Sequence, residues 1–282
     1  GKSVTCKVTV ELFTGLDKDN TNPGEALPEG EIEIIEEDAS KGIVIKDKND
    51  REWVWIEVPK TIFTTANALG EERTQEELNT AIKADLIAYA GVYRSGPHNN
   101  TGVWEDKWYS GCGIADATTY NAMYNKMINS IYNNGGFWIQ RYEDGRNNIT
   151  CNIAQSYATQ MTPDENKISS LMFGIQWDLV CRYLDGKDGL TTVMINSNSS
   201  TWGNYSSGVA SPKQEKNKKM NIYDFAGNLW EWTLENSGNN ARPFCERGGF
   251  FSATGSEYPA SYRMCKSPGE TGTNQSFRTT FY

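Results

Sequence analysis

Histidine is almost missing from this sequence. His98 stands alone, in the turn-rich stretch Ser95-Gly96-Pro97-His98-Asn99-Asn100. Nucleophilic catalysis of the Ser-His-Asp or Cys-His kind would have to use it, and a residue in such a loop reads as surface rather than as a general base. Cysteine is present but scattered, at positions 6, 112, 151, 181, 245 and 265, with no Cys-x-x-Cys spacing. A structural zinc needs about four nitrogen or sulfur ligands at close spacing, which argues against zinc. In a chain of 282 residues these cysteines read as buried, inert thiols, not as a disulfide framework. No apolar run approaches the ~20 residues that cross a bilayer, so no membrane insertion is expected. No signal-peptide pattern is visible, although a sequence beginning at Gly1 says little about export.

Positive charge is also short. The formal net charge is −9. The nearest approach to a basic run is Lys213 to Lys219, which Glu215 interrupts inside a polar stretch. That is a solvated loop, and no nucleic-acid partner is expected.

The length is enough for a substantial core. The first sixty residues read as strands: Val4 to Phe13, Glu31 to Ile35, and two segments, Lys41–Lys46 and Trp53–Pro59, joined by the turn signal Asp47-Lys48-Asn49-Asp50. Asp17 to Gly30 is a loop by composition. Thr74-Gln75-Glu76-Glu77 is a capping box, followed by Leu78, Ala81, Ile82 and Leu86 at helical spacing. A second helix is predicted from Asp116 to about Tyr132, with Tyr120, Met123, Met127 and Ile131 as its core stripe and Asn133-Asn134-Gly135-Gly136 as its stop. Phe137 to Tyr142 reads as a strand, and a third helix is expected from about Ser169 to Leu184. From Ile195 on, periodicity fades into Ser, Asn, Gly, Thr and Tyr broken by short apolar pieces. Strands, then helices, then short strands and loops make an α+β protein, not an alternating parallel sheet.

Several segments carry a resemblance. Asp224 to Thr233 contains Ala226-Gly227-Asn228-Leu229-Trp230-Glu231-Trp232, followed by Arg247-Gly248-Gly249 and Phe277-Arg278. Trp53–Pro59, Gly135 to Glu143 and Gln176-Trp177-Asp178 fit the same pattern. Together they resemble the formylglycine-generating enzyme (sulfatase-modifying factor) domain family. The resemblance implies a C-type-lectin-like fold over about residues 40–282, with residues 1–39 either a small appendage or part of the same domain.

The family's enzymes oxidise a substrate cysteine with two cysteines of their own, which also bind copper and follow RGG in a pattern like RGGSxxCxxxxC. Here those positions hold Ala253 and Tyr258, neither of which forms a thiolate or ligates copper. The related iron-dependent branch needs histidines that this chain lacks. The resemblance therefore implies no such enzyme. It does imply a calcium site at Asn228 and Glu231, with Asp224 nearby, because oxygen ligands suit calcium. The competing reading is that Asn228 builds a turn and Glu231 pairs with Arg247 or Arg278. Arg278 itself reads as a partly buried ion-pair anchor.

Residues 247–282 alternate framework-like positions with small polar and aromatic residues, the composition of a recognition surface. This resembles the C-terminal region of variable proteins of diversity-generating retroelements. By that resemblance the display positions are Phe250, Ser252, Ala253, Thr254, Ser256, Tyr258, Tyr262, Met264, Lys266, Thr271 and Asn274. The implied function is non-enzymatic binding of a protein or surface ligand, at a cell surface or on a phage particle. A metal-dependent enzyme of the same family and a structural virion or scaffold protein are the alternatives.

Overall fold

The computed structural model describes residues 12–95, 104–205, 208–209, 214–267 and 269–282. The expectations placed on Val4–Glu11, Cys6, His98 and Lys213 lie outside them.

The turn signal after residue 46 folds for a visible reason. Asp47 accepts hydrogen bonds from the backbone N–H of Asn49 (2.8 Å) and Arg51 (3.1 Å) and from Trp53 Nε1 (3.0 Å). One short carboxylate thus closes the turn and fixes the first indole of the next strand. Strand β1 (Glu33–Glu36) pairs antiparallel with β2 (Val44–Lys46), and β2 with β3 (Glu52–Glu57). Helices α1 (Thr64–Asn67), α2 (Gln75–Ala90), α3 (Asp106–Tyr109) and α4 (Ala117–Asn134) follow. Thr74 and Glu77 form the reciprocal capping box at the start of α2. Leu78, Ala81, Ile82 and Leu86 are all buried, as their spacing requires. On α4 only the lower part of the predicted stripe, Met127 and Ile131, is fully buried; Tyr120 and Met123 are half-buried.

Strand β4 (Gly136–Gln140) lies against β3, with Trp55 opposite Trp138 and their rings 5.1 Å apart. The chain continues through α5 (Cys151–Thr159), β5 (Ser169–Leu171), α6 (Gly174–Leu184), α7 (Thr192–Asn196) and the short pair β6 (Lys218–Lys219) and β7 (Ile222–Tyr223). It ends with β8 (Trp230–Asn236), β9 (Phe244–Arg247), β10 (Arg263–Lys266), β11 (Gln275–Phe277) and β12 (Thr279–Phe281). One antiparallel sheet has the order β1-β2-β3-β4-β12-β5, and a second has β10-β9-β8-β11, with β11 parallel to β8. The fold is α+β.

Two expectations need correction. The third helix does not begin at Ser169. Residues 169–171 pair with β12, and the helix starts only after Phe173, whose N–H donates to Gln176 Oε1 at 3.0 Å. Helix α5 was not expected; its signal is short, with Ala154 and Ala158 buried one turn apart. Residues 12–39 pack on the rest. Phe13 is in the core, and Thr21 Oγ1 donates to Gly135 O and accepts from Trp55 Nε1.

Arg278 is the single residue between β11 and β12, and so stands where the chain passes from one sheet to the other. Its Nη2 and Nε reach the two oxygens of Glu231 at 2.8 and 3.2 Å, and further N–H groups donate to Gln140 O and Tyr223 O. It is fully buried. Arg278→Ala leaves the Glu231 carboxylate buried beside a cavity, and should cost about 3–5 kcal/mol in urea-denaturation stability. Arg278→Lys should recover only part of that, because an ammonium cannot bridge both oxygens and two carbonyls.

Candidate binding face

Cross-strand register sorts the second sheet into two sides. Arg263, Arg247 and Glu231 are opposed in sequence across β10, β9 and β8, so they share one side, as do Met264, Glu246 and Trp232 on the other.

The first side is ionic and dry. Arg247 donates to Glu235 Oε2 (2.9 Å) and Asp178 Oδ1 (2.8 Å), and Arg263 Nε lies 2.9 Å from Glu235 Oε1 as an ion pair without hydrogen-bond alignment. Asp178 also accepts from Arg94 Nε. Burial pushes Asp178 up to about 6 although Arg247 and Arg94 pull it down. Burial also acts to raise Glu235, but Arg247, Arg263 and Arg94 outweigh it and hold that carboxyl below its ordinary value.

The other side carries most of the candidate residues. Trp230 is buried and forms a floor. Phe250, Tyr258 and Tyr262 stand on it with ring centroids 5.9, 5.2 and 6.2 Å away, and Tyr258 meets Tyr262 edge-on at 4.9 Å. All three are half-buried. Met264 and Lys266 continue outward along β10 while Arg263 and Cys265 turn inward. Ser252, Thr254 and Ser256 are exposed in the loop between Phe250 and Tyr258, and Thr271 and Asn274 lie in the segment before β11. Asn274 O accepts from Trp230 N at 2.8 Å, which sets that segment beside the floor.

Ala253 departs from the expectation. It is buried at 7% exposure, so it offers no side chain to a ligand. Thr254 is exposed, but its side chain and Glu257 bond each other's backbone N–H and so build the turn. The sequence reading passed over Phe251, half-buried with its ring 6.1 Å from Phe250, and Trp230 as the floor. It also missed Glu246, although period-2 alternation back from Met264 through the β9–β10 pair would have placed it on this side.

The loop's backbone is held from below. Gly249 has φ +83°, and a Cβ there would sit 2.5 Å from Tyr258 O. Tyr205 OH donates to the same Tyr258 carbonyl at 2.8 Å. Gly227 has φ +74°, and a Cβ would meet Asn204 O at 2.2 Å. Asn228, also at positive φ, accepts from Asn204 Nδ2 (3.0 Å), donates to Glu143, and gives its backbone carbonyl to Phe251 N (2.8 Å). The Gly-Asn pair is therefore a turn that positions the start of the candidate loop.

That arrangement engages Asn228 and Glu231 with other partners, although the buried Glu143 beside Asn228 keeps one oxygen, Oε1, without a hydrogen bond among the described residues. Calcium takes six to eight oxygens, whereas both Glu231 oxygens are held by Arg278 and the Asn228 amide by Asn204 and Glu143. Asp224 accepts from Asn217 Nδ2 at 2.8 Å. Among the described residues no group of three or more His, Cys, Asp or Glu is disposed to hold a metal. Glu231 instead follows the competing reading, as partner of Arg278. The five described cysteines are buried and joined in no disulfide among the described residues, and Cys245 faces Cys265 across β9 and β10. Burial pushes the thiols of Cys112, Cys181 and Cys245 up, which leaves them poor nucleophiles. Among the described residues no helix is long and apolar enough to cross a membrane.

No family model and no curated protein matches the chain, so the resemblance to formylglycine-generating enzymes stays at the level of the motifs quoted. Among solved structures the chain is similar to Treponema denticola variable protein 1, at 19% identity and a TM-score of 0.32, over 40% of this chain and 48% of that one. The match thus spans about half of that protein, and at this score the likeness carries no weight on fold or function.

Two measurements check the site. Glu246 is fully buried, its carboxylate oxygens make no hydrogen bond of good geometry among the described residues, and Lys266 Nζ is 3.6 Å away, nearer to Glu270 at 2.9 Å. Burial pushes it up to about 8, with Lys266 opposing. The folded protein then holds this proton more tightly than the unfolded chain. The stability that protonation contributes is complete below about 4.5 and lost as pH rises towards 8. Glu246→Gln should flatten that fall, gaining on the order of a few kcal/mol over the parent at the alkaline end in paired denaturation series. For calcium, the expected result is an unchanged Tm on adding EDTA or millimolar calcium; a saturable rise abolished by Glu231→Gln would reverse the assignment.

Proposed function

We propose that this chain is a non-enzymatic recognition protein with a C-type-lectin-like fold, whose C-terminal segment carries a changeable binding face. The partner class is a protein or another surface ligand, met outside the cell, at a cell surface or on a phage particle. One observation carries the reading. Along residues 247–282 the framework positions Gly248, Gly249, Gly255, Pro259, Ala260, Ser261, Arg263, Phe277 and Arg278 are buried, while ten of the eleven candidate positions are exposed or half-buried. Side chains that face solvent from a backbone fixed elsewhere are free to change without loss of fold.

The group on Trp230 has the chemistry of a recognition surface. Phe250, Tyr258 and Tyr262 offer rigid aromatic area with little entropy to lose, and the neighbouring serines and threonines offer adaptable hydrogen bonds. The non-enzymatic part of the proposal rests on Ala253 and Tyr258. The first is a buried methyl and the second a phenol in the aromatic group, where the family's oxidation chemistry needs two thiols.

The test is a display library. Ser252, Ser256, Tyr258, Tyr262, Met264, Lys266 and Thr271 are randomised together and selected on an unrelated protein such as hen lysozyme. The expected outcome is that most members keep the parent's cooperative unfolding and that specific binders emerge. A library that loses its fold as often as one randomised at Gly249, Ser261, Arg263 and Phe277 would overturn the reading. In the DNA beside the coding sequence, the proposal expects a reverse transcriptase and a near-copy of the 3′ end differing at adenines.

A further inference from the structure

A second concavity lies apart from the face built on Trp230, and none of the eleven candidate positions lines it. It is a cavity of about 300 Å³ between α2, α4 and the end of β8, at the lower bound for small-molecule sites. Its walls are aromatic: Trp104, Tyr109, Tyr120 and Tyr124, with Trp104 5.9 Å from Tyr109 and 6.0 Å from Tyr120. Two cationic residues also line it, Lys83, whose Nζ lies 5.6 Å from the Tyr124 ring centroid, and Arg94.

Arg94 decides the sign of the ligand. Its Nε is taken by Asp178, but among the described residues Nη1 and Nη2 have no hydrogen-bond partner, although the side chain is only 12% exposed. The network behind it is already complete without those two nitrogens. Arg247 and Arg263 hold Glu235, and Arg247 and Arg94 hold Asp178. Among the described residues three guanidinium groups thus face two carboxylates, leaving one positive charge over on a side chain that is mostly buried. The one carboxylate on the cavity wall, Glu235, is already held by two arginines, so nothing there favours a cation despite the aromatic rings. A second donor on the wall, Trp104 Nε1, is buried beside Tyr120 and makes no hydrogen bond of good geometry among the described residues.

We propose that this cavity binds a small aromatic monocarboxylate, with the carboxylate on the Arg94 fork and the ring among Trp104, Tyr109, Tyr120 and Tyr124. The ligand neutralises the surplus charge of the buried network, and its two oxygens match the two open nitrogens of a planar guanidinium. A phenyl-sized body fits the volume.

The experiment uses the full chain and three matched probes: 4-hydroxyphenylacetate, 4-methylphenol and choline. Binding is read by calorimetry and by tryptophan fluorescence. The expected result is saturable binding of the carboxylate, at least about tenfold tighter than 4-methylphenol, as a charge-assisted hydrogen bond requires, with none of choline. Arg94→Gln should abolish the preference for the carboxylate. Because Arg94 also pairs with Asp178, a second variant guards against misfolding. Ile87→Trp, on the cavity wall, 39% exposed and outside the ionic network, should keep the parent's Tm and lose the probe. Equal binding of carboxylate and phenol, binding of choline alone, no saturable binding, or full binding by Ile87→Trp would each overturn the proposal.

Discussion

The guanidinium of Arg278 is where the two sheets are tied. β11 belongs to one sheet and β12 to the other, and one residue separates them. A residue at that point cannot be satisfied by either ladder alone. Arg278 resolves this by bonding Glu231 on β8, the carbonyl of Gln140 on β4 and that of Tyr223 on β7. Charge taken out of water is costly, so the pair gives little net stability over an apolar substitute. What it does is specify: only one docking of β8 against β4 brings the carboxylate and both carbonyls within reach of one fork.

The same device recurs on the dry side of the second sheet, where Arg247 and Arg263 meet Asp178 of α6 and Glu235 of β8. These bonds fix the sheet from behind. The side chains on its other side are then not needed to hold it in place. Trp230, like Trp232 and Glu246 on that side, is buried; its indole belongs to both, since it is part of the sheet's packing and the floor on which Phe250, Tyr258 and Tyr262 stand. The division of labour is physical: long-range ionic contacts within, short aromatic contacts without.

This division explains what the sequence made legible. The Asp47 turn and the Thr74 capping box are local, and each folds as read. Gly227, Gly248 and Gly249, which the motifs carry, all sit at positive φ, where few other residues fit. The strand at Ser169–Leu171 was hidden, because its partner β12 is more than a hundred residues away and its short polar sequence shows no alternation. The partner of Glu231 was one of two arginines by sequence; Arg247 lies across from it in the register of β9 but is taken by Glu235 and Asp178, and Arg278 makes the bonds. Ala253 was a display position by the resemblance, yet its methyl is buried beside the turn that Thr254 and Glu257 close.

The motifs and the residues between them therefore answer different questions. AGNLWEW, RGG and FR contribute Asn228, Trp230, Glu231, Arg247, Gly249 and Arg278, which are turns, floor and ion pairs. All six are buried, so none can meet a ligand without the fold opening. Activity has to come from what they leave exposed. On one side that is an aromatic and hydroxyl-bearing surface suited to contact with a large partner. In the separate cavity it is an arginine fork set among rings. Surfaces of such different size and polarity, if they bind as proposed, would take different ligands. The buried arginines connect them, since Arg247 touches both Asp178, the partner of Arg94, and the carbonyl of Ser261 beside Tyr262.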